Sequence, residues 1–433
     1  MKLNGIITIH KQTDIIWTLV LIEVLRLAGV NDKPIFVLML GWVFMVTWRT
    51  GRITIPRIKG WMPLIIFLIY GTFVGLITLM PRLVTRDLSY FLPTLAVIYV
   101  GYMVQYHFKD KSVDKTLMLI GAIIAVNAII RTLMLGGAIS QFEEVRNAMG
   151  NHVVENCYIF ALIFVKKAIG KKVFFSKAWD NIIFILIIVQ ISTAFGRTNV
   201  ALAAAIIFVS IFLSFFSNKN WRNHIIRKIL VWAVVVIVGA GVIEAVFPSS
   251  ITEQYSEKWD KTSEEINPDQ EFKSTGEAMG RWRAYEKKSA RKQWQESNII
   301  VEIFGAGVGK GVYVEYIPYT WDEVIYEHSI PILHNGYYMI LPKGGLFGIA
   351  CLLIFFLSGL FLFLKKVKNR ETIRIEVVLL ATVGITMMLQ SYMTSGMMAQ
   401  SFAFAFGIIV GSCNAKIHMD AMQEKEDEEL GEE

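Results

Sequence analysis

The feature that most constrains this chain is the recurrence, from residue 14 to residue 413, of apolar runs long enough to cross a bilayer. About 30 Å of hydrocarbon takes about 20 mostly apolar residues as a helix, and backbone polar groups at that depth are satisfied only within helices or closed barrels. Candidate spans are 14–30, 34–48, 61–80, 89–105, 116–135, 153–166, 181–195, 199–217, 228–248, 344–364, 375–392 and 396–413. A soluble chain of 433 residues would suggest two or three domains, but with 54% hydrophobic residues and a mean hydropathy of +0.49 that expectation gives way. The expectation is an all-α polytopic integral membrane protein of about twelve transmembrane helices. The start, MKLNGIITIHKQTD, lacks an apolar stretch with a small-residue cleavage site, so the first span is expected to act as its own insertion signal.

Charge then orients the spans. Loops rich in Lys and Arg stay in the cytoplasm. The segments 49–60, 106–115, 167–180, 218–228 and 365–374 together carry 20 cations, whereas the short loops between them hold only Lys33, Arg82, Arg86, Arg146 and Arg197. This alternation predicts that both termini are cytoplasmic. The net charge of +7 is therefore explained by topology, and nucleic acid is not expected as a partner. The acidic tail EKEDEELGEE reads as solvated, disordered chain. Cys157, Cys351 and Cys413 lie in or at the ends of spans, so no disulfide is expected.

One connection is long. Spans one to nine fill 1–248, a large extracytoplasmic loop runs over 249–335, the last three spans fill 336–415, and the tail follows over 416–433. The stretch 249–333 carries twelve aromatics, among them Trp259, Trp282, Tyr285, Trp294 and Trp321. Within it, MGRWRAYEKKSARKQWQES at 279–297 reads as a helix with Arg281, Arg283, Lys287, Lys288, Arg291 and Lys292. Six cations on the side that should avoid them imply an anionic partner, either a bound ligand or the headgroups on which such a helix would lie.

Three residues stand out chemically. Arg197, in ISTAFGRTNVALAAA, is squeezed between two apolar runs, where a charge that cannot deprotonate must snorkel, pair with a carboxylate, or hold an anion. A guanidinium fork suits two phosphate oxygens. His334 opens HNGYYMILPKGGLFG where the large loop returns to the membrane, and imidazole is the side chain that exchanges protons near neutral pH. Gly344, Gly345 and Gly348 behind it permit a kink or close backbone approach. GAGVGKG at 305–311 lacks the Ser/Thr and the spacing of a P-loop and reads as a turn, as does Asp32 beside Pro34. No HExxH, CxxC or DxD pattern points to a metal.

These residues resemble a known group. His-Asn, nine residues, Gly, two residues, Gly, from His334 to Gly348, is similar to the signature of the O-antigen ligase and Wzy-type O-antigen polymerase superfamily. GRWRAYEKKSARKQWQESNIIVEIFGAGVGKG resembles its outer-loop segment, AFGRTNVALAAA its mid-chain Arg motif, and RNAMGNHVVENCYIFALI its Gly-Asn stretch. The chain departs at Ala201, where the family pattern has Leu, and at Tyr285, where it often has Trp. The resemblance implies a GT-C-like fold and a glycan on an undecaprenyl diphosphate carrier, transferred without metal or cofactor and with inversion at the anomeric carbon. The acceptor would be a second lipid-linked repeat unit or a lipid A core, and the setting the cytoplasmic (inner) membrane. By resemblance Arg197, Arg281 and His334 are catalytic, with Asn335, Arg82, Arg86, Arg283, Tyr285 and Tyr338 on the substrate. The favoured expectation is a polymerase of repeat units. The alternatives are a ligase of the same fold and a lipid-linked glycan transporter without bond chemistry.

Overall fold

In a computed structural model, residues 12–29, 55–108, 112–135, 142–150, 152–169, 173–217, 249–260, 269–317, 328–398 and 404–431 are described, with residue 267 and scattered positions between 34 and 44. The expected span 228–248, most of 34–48, and Asp32 and Trp321 lie outside them.

The described chain is almost entirely helical. In order it forms α1 (Gln12–Leu27), α2 (Trp61–Thr78), α3 (Pro81–Phe108), α4 (Ser112–Met134), α5 (Phe142–Met149), α6 (Val153–Ile163), α7 (Lys177–Thr193) and α8 (Arg197–Ser217). The long loop contributes α9 (Ser249–Asp260), α10 (Thr275–Gly280), α11 (Trp282–Gln295) and α12 (Ile299–Phe304), and a two-residue antiparallel ladder of β1 (Val312–Tyr313) on β2 (Ser329–Ile330). The chain closes with α13 (Gly336–Lys368), α14 (Ile375–Met393) and α15 (Phe404–Gly431). The expected helix over 279–297 is found as α11 from Trp282 to Gln295, with a break at Arg281 that leaves Met279 and Gly280 in α10.

Six of the described helices, α2, α3, α4, α8, α13 and α14, are long and apolar enough to cross a bilayer, and α5 with α6, a pair bent by 50°, brings the number to seven if the two count as one span. α1 and α7, at 16 and 17 residues, are shorter. The expected span 396–413 begins instead with a 3-10 turn at Gly396–Met398, and its helix starts at Phe404. That helix also corrects the reading of the tail, because it continues through the acidic run to Gly431. Arg374 pairs with Asp420 and Glu424 and ties the tail to the basic 365–374 connection.

Outward faces are apolar as well as inward ones. On α2, Met62, Ile66, Ile69, Phe73 and Ile77 are all exposed at helical spacing, and on α8 so are Phe208, Phe212 and Phe216. A water-soluble helix would place polar residues there; these stripes face the apolar medium of a membrane protein. Charged contacts gather at the two ends of the bundle. At one end Lys166 and Lys416 share Asp114, and the Lys59 amide donates to Asn414. At the other lie the long loop, Arg197 and His334.

The Gly-rich segment 305–311 is the turn that its sequence predicted, and it fastens the long loop to the bundle. Gly305, Gly307 and Gly309 all have positive φ, and a Cβ at Gly305 would sit 2.4 Å from the Lys343 carbonyl oxygen. The Ala306 and Gly307 amides donate to the carbonyls of Pro342 and Lys343, and Val308 donates to Gly71 across 2.7 Å. Beneath it the Lys343 ammonium, buried inside the membrane-spanning bundle, pairs with Asp87 and donates to the Lys310 carbonyl, and Asp87 also accepts from Gly309 and Arg86. Both roles expected of the glycines behind His334 are present. Gly345 has a non-helical φ of 57° that kinks α13, and the Phe67 ring packs where a Gly344 side chain would be.

Candidate anion-binding site

The site grows out of three junctions. The first is the turn between α7 and α8, where Phe195 takes a left-handed conformation (φ 48°) and Arg197 opens α8. The second is the bend between α5 and α6, where His152 is also left-handed (φ 52°). Left-handed backbone costs a non-glycine residue about 1 kcal/mol or more and tends to collect at functional sites. The third is the return of the long loop, where His334 precedes α13. Asn335 caps α13, accepting from the Tyr337 and Tyr338 amides and donating to the Tyr392 carbonyl, and Ser395 donates to the Leu333 carbonyl across 2.7 Å. The backbone of His334 is thus held on both sides.

These junctions and the start of α11 enclose a cavity of about 820 Å³. Arg146, Arg197, Lys258, Arg281, Arg283, His152 and His334 line it, and none of its described lining residues is an Asp or Glu. Carboxylates answer some of the cations from outside: Glu143 pairs with Arg146 at 2.9 Å and Lys258 at 2.5 Å, and Glu23 lies 3.4 Å from His152. Arg197 donates to the Lys258 carbonyl, and Arg281 donates to Gln270 with its guanidinium 5.7 Å from the Phe272 ring. Each of these contacts is to a neutral acceptor, which tethers the guanidinium at the cavity wall.

His334 is half-exposed, with Nδ1 3.0 Å from Oε2 of Glu286, a carboxylate only 3% exposed. The same carboxylate accepts the His334 backbone N–H at 3.0 Å. The next residue, Lys287, is buried with its ammonium 4.8 Å from the Tyr392 ring. Its pKa falls below the usual 10.5, chiefly through burial and then through Arg283, against the opposing pull of Glu286.

Of the nine residues expected at the site, the cavity brings together Arg197, Arg281, Arg283 and His334. The other five sit elsewhere. Asn335 is a buried helix cap. Tyr285 is buried and accepts the Tyr316 amide, on the face of α11 turned to a second cleft of about 860 Å³ with Phe272, Lys288 and Tyr313. Arg86 is paired with Asp87, Arg82 is exposed, and Tyr338 lies in the first turn of α13; none lines the cavity. Sequence reasoning did not single out Glu286, His152 or Lys258. Glu286 carried a signal, being the one acid between residues 279 and 295. The bend that aims His152 and the docking of α9 that delivers Lys258 arise from tertiary packing and left none.

No protein-family model matches this chain, and no curated protein is similar enough to count as a relative.

Proposed function

We propose that this protein is a membrane glycosyltransferase that moves a glycan from a polyprenyl diphosphate, of the undecaprenyl type, to an acceptor sugar hydroxyl. The observation that carries the reading is the cavity lining, which among the described residues has five Arg or Lys and two His side chains and no carboxylate, at one end of a bundle whose outer faces are apolar. A diphosphate with a lipid tail meets both demands, its charge in the cavity and its tail along the lipid-facing helices. The finer expectations, twelve spans, a GT-C-like arrangement, cytoplasmic termini and an extracytoplasmic site in the inner membrane, belong to this same reading.

In the mechanism the acceptor oxygen attacks the anomeric carbon from the face opposite the diphosphate. The bond from that carbon to the diphosphate oxygen breaks, and its electron pair leaves with the diphosphate. Arg197 and Arg281 stabilise the charge that develops there, and they act more strongly in the transition state than before it. The acceptor proton passes to His334 through the ring nitrogen that Glu286 does not engage. Inversion at carbon follows from the single displacement.

The test supplies purified protein with one lipid-linked repeat unit and no other acceptor. A ladder of lengths is the expected result and marks a polymerase. Product only after addition of a lipid A core marks a ligase with the same chemistry. No transfer with either acceptor refutes the proposal.

A further inference from the structure

We infer that Glu286 is a positioning residue that fixes His334 as the Nδ1–H tautomer, leaving Nε2 as the base; as a statement about catalysis this rests on the glycosyltransferase reading above. The geometry is specific. Glu286 sits one turn into α11, 3% exposed, and among the described residues its carboxylate makes no ion pair with Lys or Arg. A buried carboxylate without a cation is costly unless hydrogen bonds satisfy it. Here they come from one residue, as the His334 backbone N–H donates to Oε2 at 3.0 Å and Nδ1 lies 3.0 and 3.2 Å from Oε2 and Oε1. An acceptor-only carboxylate requires the proton to be on Nδ1. The free lone pair is then on Nε2, in a residue that lines the cavity. When Nε2 takes the acceptor proton, the carboxylate stabilises the imidazolium that forms, the role a buried acid plays beside a histidine base. One side chain thus sets the place, the tautomer and the charge of another.

The tautomer is read without substrate, from the 15N ring shifts of histidine-labelled protein in lipid nanodiscs, with His334 assigned by its loss in His334→Ala. In the neutral ring a protonated Nδ1 and a bare Nε2 are expected; a neutral ring protonated at Nε2 in the unaltered protein overturns the inference, whatever the variants do. In Glu286→Gln, checked for folding by thermal melt, the ring should shift toward the Nε2–H form that free imidazole prefers. The kcat for glycan transfer should fall about 10- to 100-fold, with KM for the lipid-linked donor changed less than about twofold. Combined with His334→Ala, Glu286→Gln should cost nothing further. An unchanged kcat, or a full additional loss in the double variant, overturns the positioning role. If the tautomer is as expected and no glycan is transferred, the failure belongs to the glycosyltransferase reading and not to the pairing.

Discussion

Lys343 and Asp87 hold the long loop to the membrane bundle, so breaking their pair should loosen the candidate site from a distance. Lys343 is 2% exposed and Asp87 1%. Removing one partner of a buried pair costs about 3–5 kcal/mol, because the survivor is left charged in a medium that does not solvate it. The two ends of this pair are not equivalent. In Lys343→Met the Asp87 carboxylate keeps Arg86 at 3.0 Å and the Gly309 amide at 3.0 Å, so the cost should fall to about 2–3 kcal/mol by the hydrogen bonds retained. In Asp87→Asn the Lys343 ammonium keeps only the Lys310 carbonyl and a neutral amide, and the full range of about 3–5 kcal/mol applies. The aspartate variant should therefore be the worse of the two.

Local opening reports this directly. At about 1.4 kcal/mol per factor of ten, 3 kcal/mol raises the opening equilibrium of the segment about 150-fold. Hydrogen exchange in nanodiscs at the Ala306, Gly307 and Val308 amides, which bond to Pro342, Lys343 and Gly71, should accelerate by that factor in Asp87→Asn and by less in Lys343→Met. The disturbance should reach α11, because Gln293 bridges the Gly311 carbonyl and the Tyr313 amide. Transfer activity should fall with it. Exchange at the unaltered rate in both variants, or a larger effect from Lys343→Met, would refute the reasoning.

Three further outcomes are expected. His334→Ala should lower the rate of glycan transfer about 10²- to 10⁴-fold, with expression and insertion kept and a melting temperature that drops because the buried Glu286 carboxylate loses its Nδ1 partner; a retained rate would remove it as the base. Arg281→Lys should lose more than about tenfold in kcat, since an ammonium cannot present the planar fork to two phosphate oxygens, and near-normal turnover would assign Arg281 to the surface. Lys287 carries a pH signature. Its folded-state pKa lies below 10.5, so between that lowered value and 10.5 the unfolded chain holds the extra proton, and the packing of α11 gains stability as pH rises through this alkaline window. Urea unfolding at a series of pH values from 8 upward should show the gain, and Lys287→Met should remove it.

What the sequence made legible follows from what membranes demand. Apolar runs and the sorting of basic connections are properties of segments, and they survive without knowledge of contacts, which is why α2, α3, α4, α8, α13 and α14 fall on expected spans. Short or polar-ended helices were less legible. α5 has two acids and an arginine in eight residues, so nothing in its composition announces that it joins α6 in a bent pair. The acidic tail looked like solvated chain because its charges were read against water, whereas its helix finds Arg374 as a partner at 34% exposure, a contact between residues 46 and 50 positions apart in the chain.

The site divides along the same line. Arg197, Arg281 and His334 were visible because an unneutralised cation or an imidazole at a membrane boundary is costly wherever its partners lie. The expected helpers were harder to place. Tyr285 and Arg283 are two residues apart on α11, and on a helix that spacing sends side chains to different faces. Arg283 lines the cationic cavity, while Tyr285 is buried against Tyr316 beside the second cleft. Asn335 follows His334 directly, yet it stands in extended backbone (φ −126°) as the cap of α13, so its side chain serves the helix and not the cavity. The same periodicity accounts for Glu286. It follows Arg283 by three and Trp282 by four residues, one turn along the helix face whose first turn borders the cavity, and that is where a partner for His334 has to be. A sequence can show that a basic helix holds one acid. Only the return of the loop at residue 334, 48 positions later, decides what that acid is for.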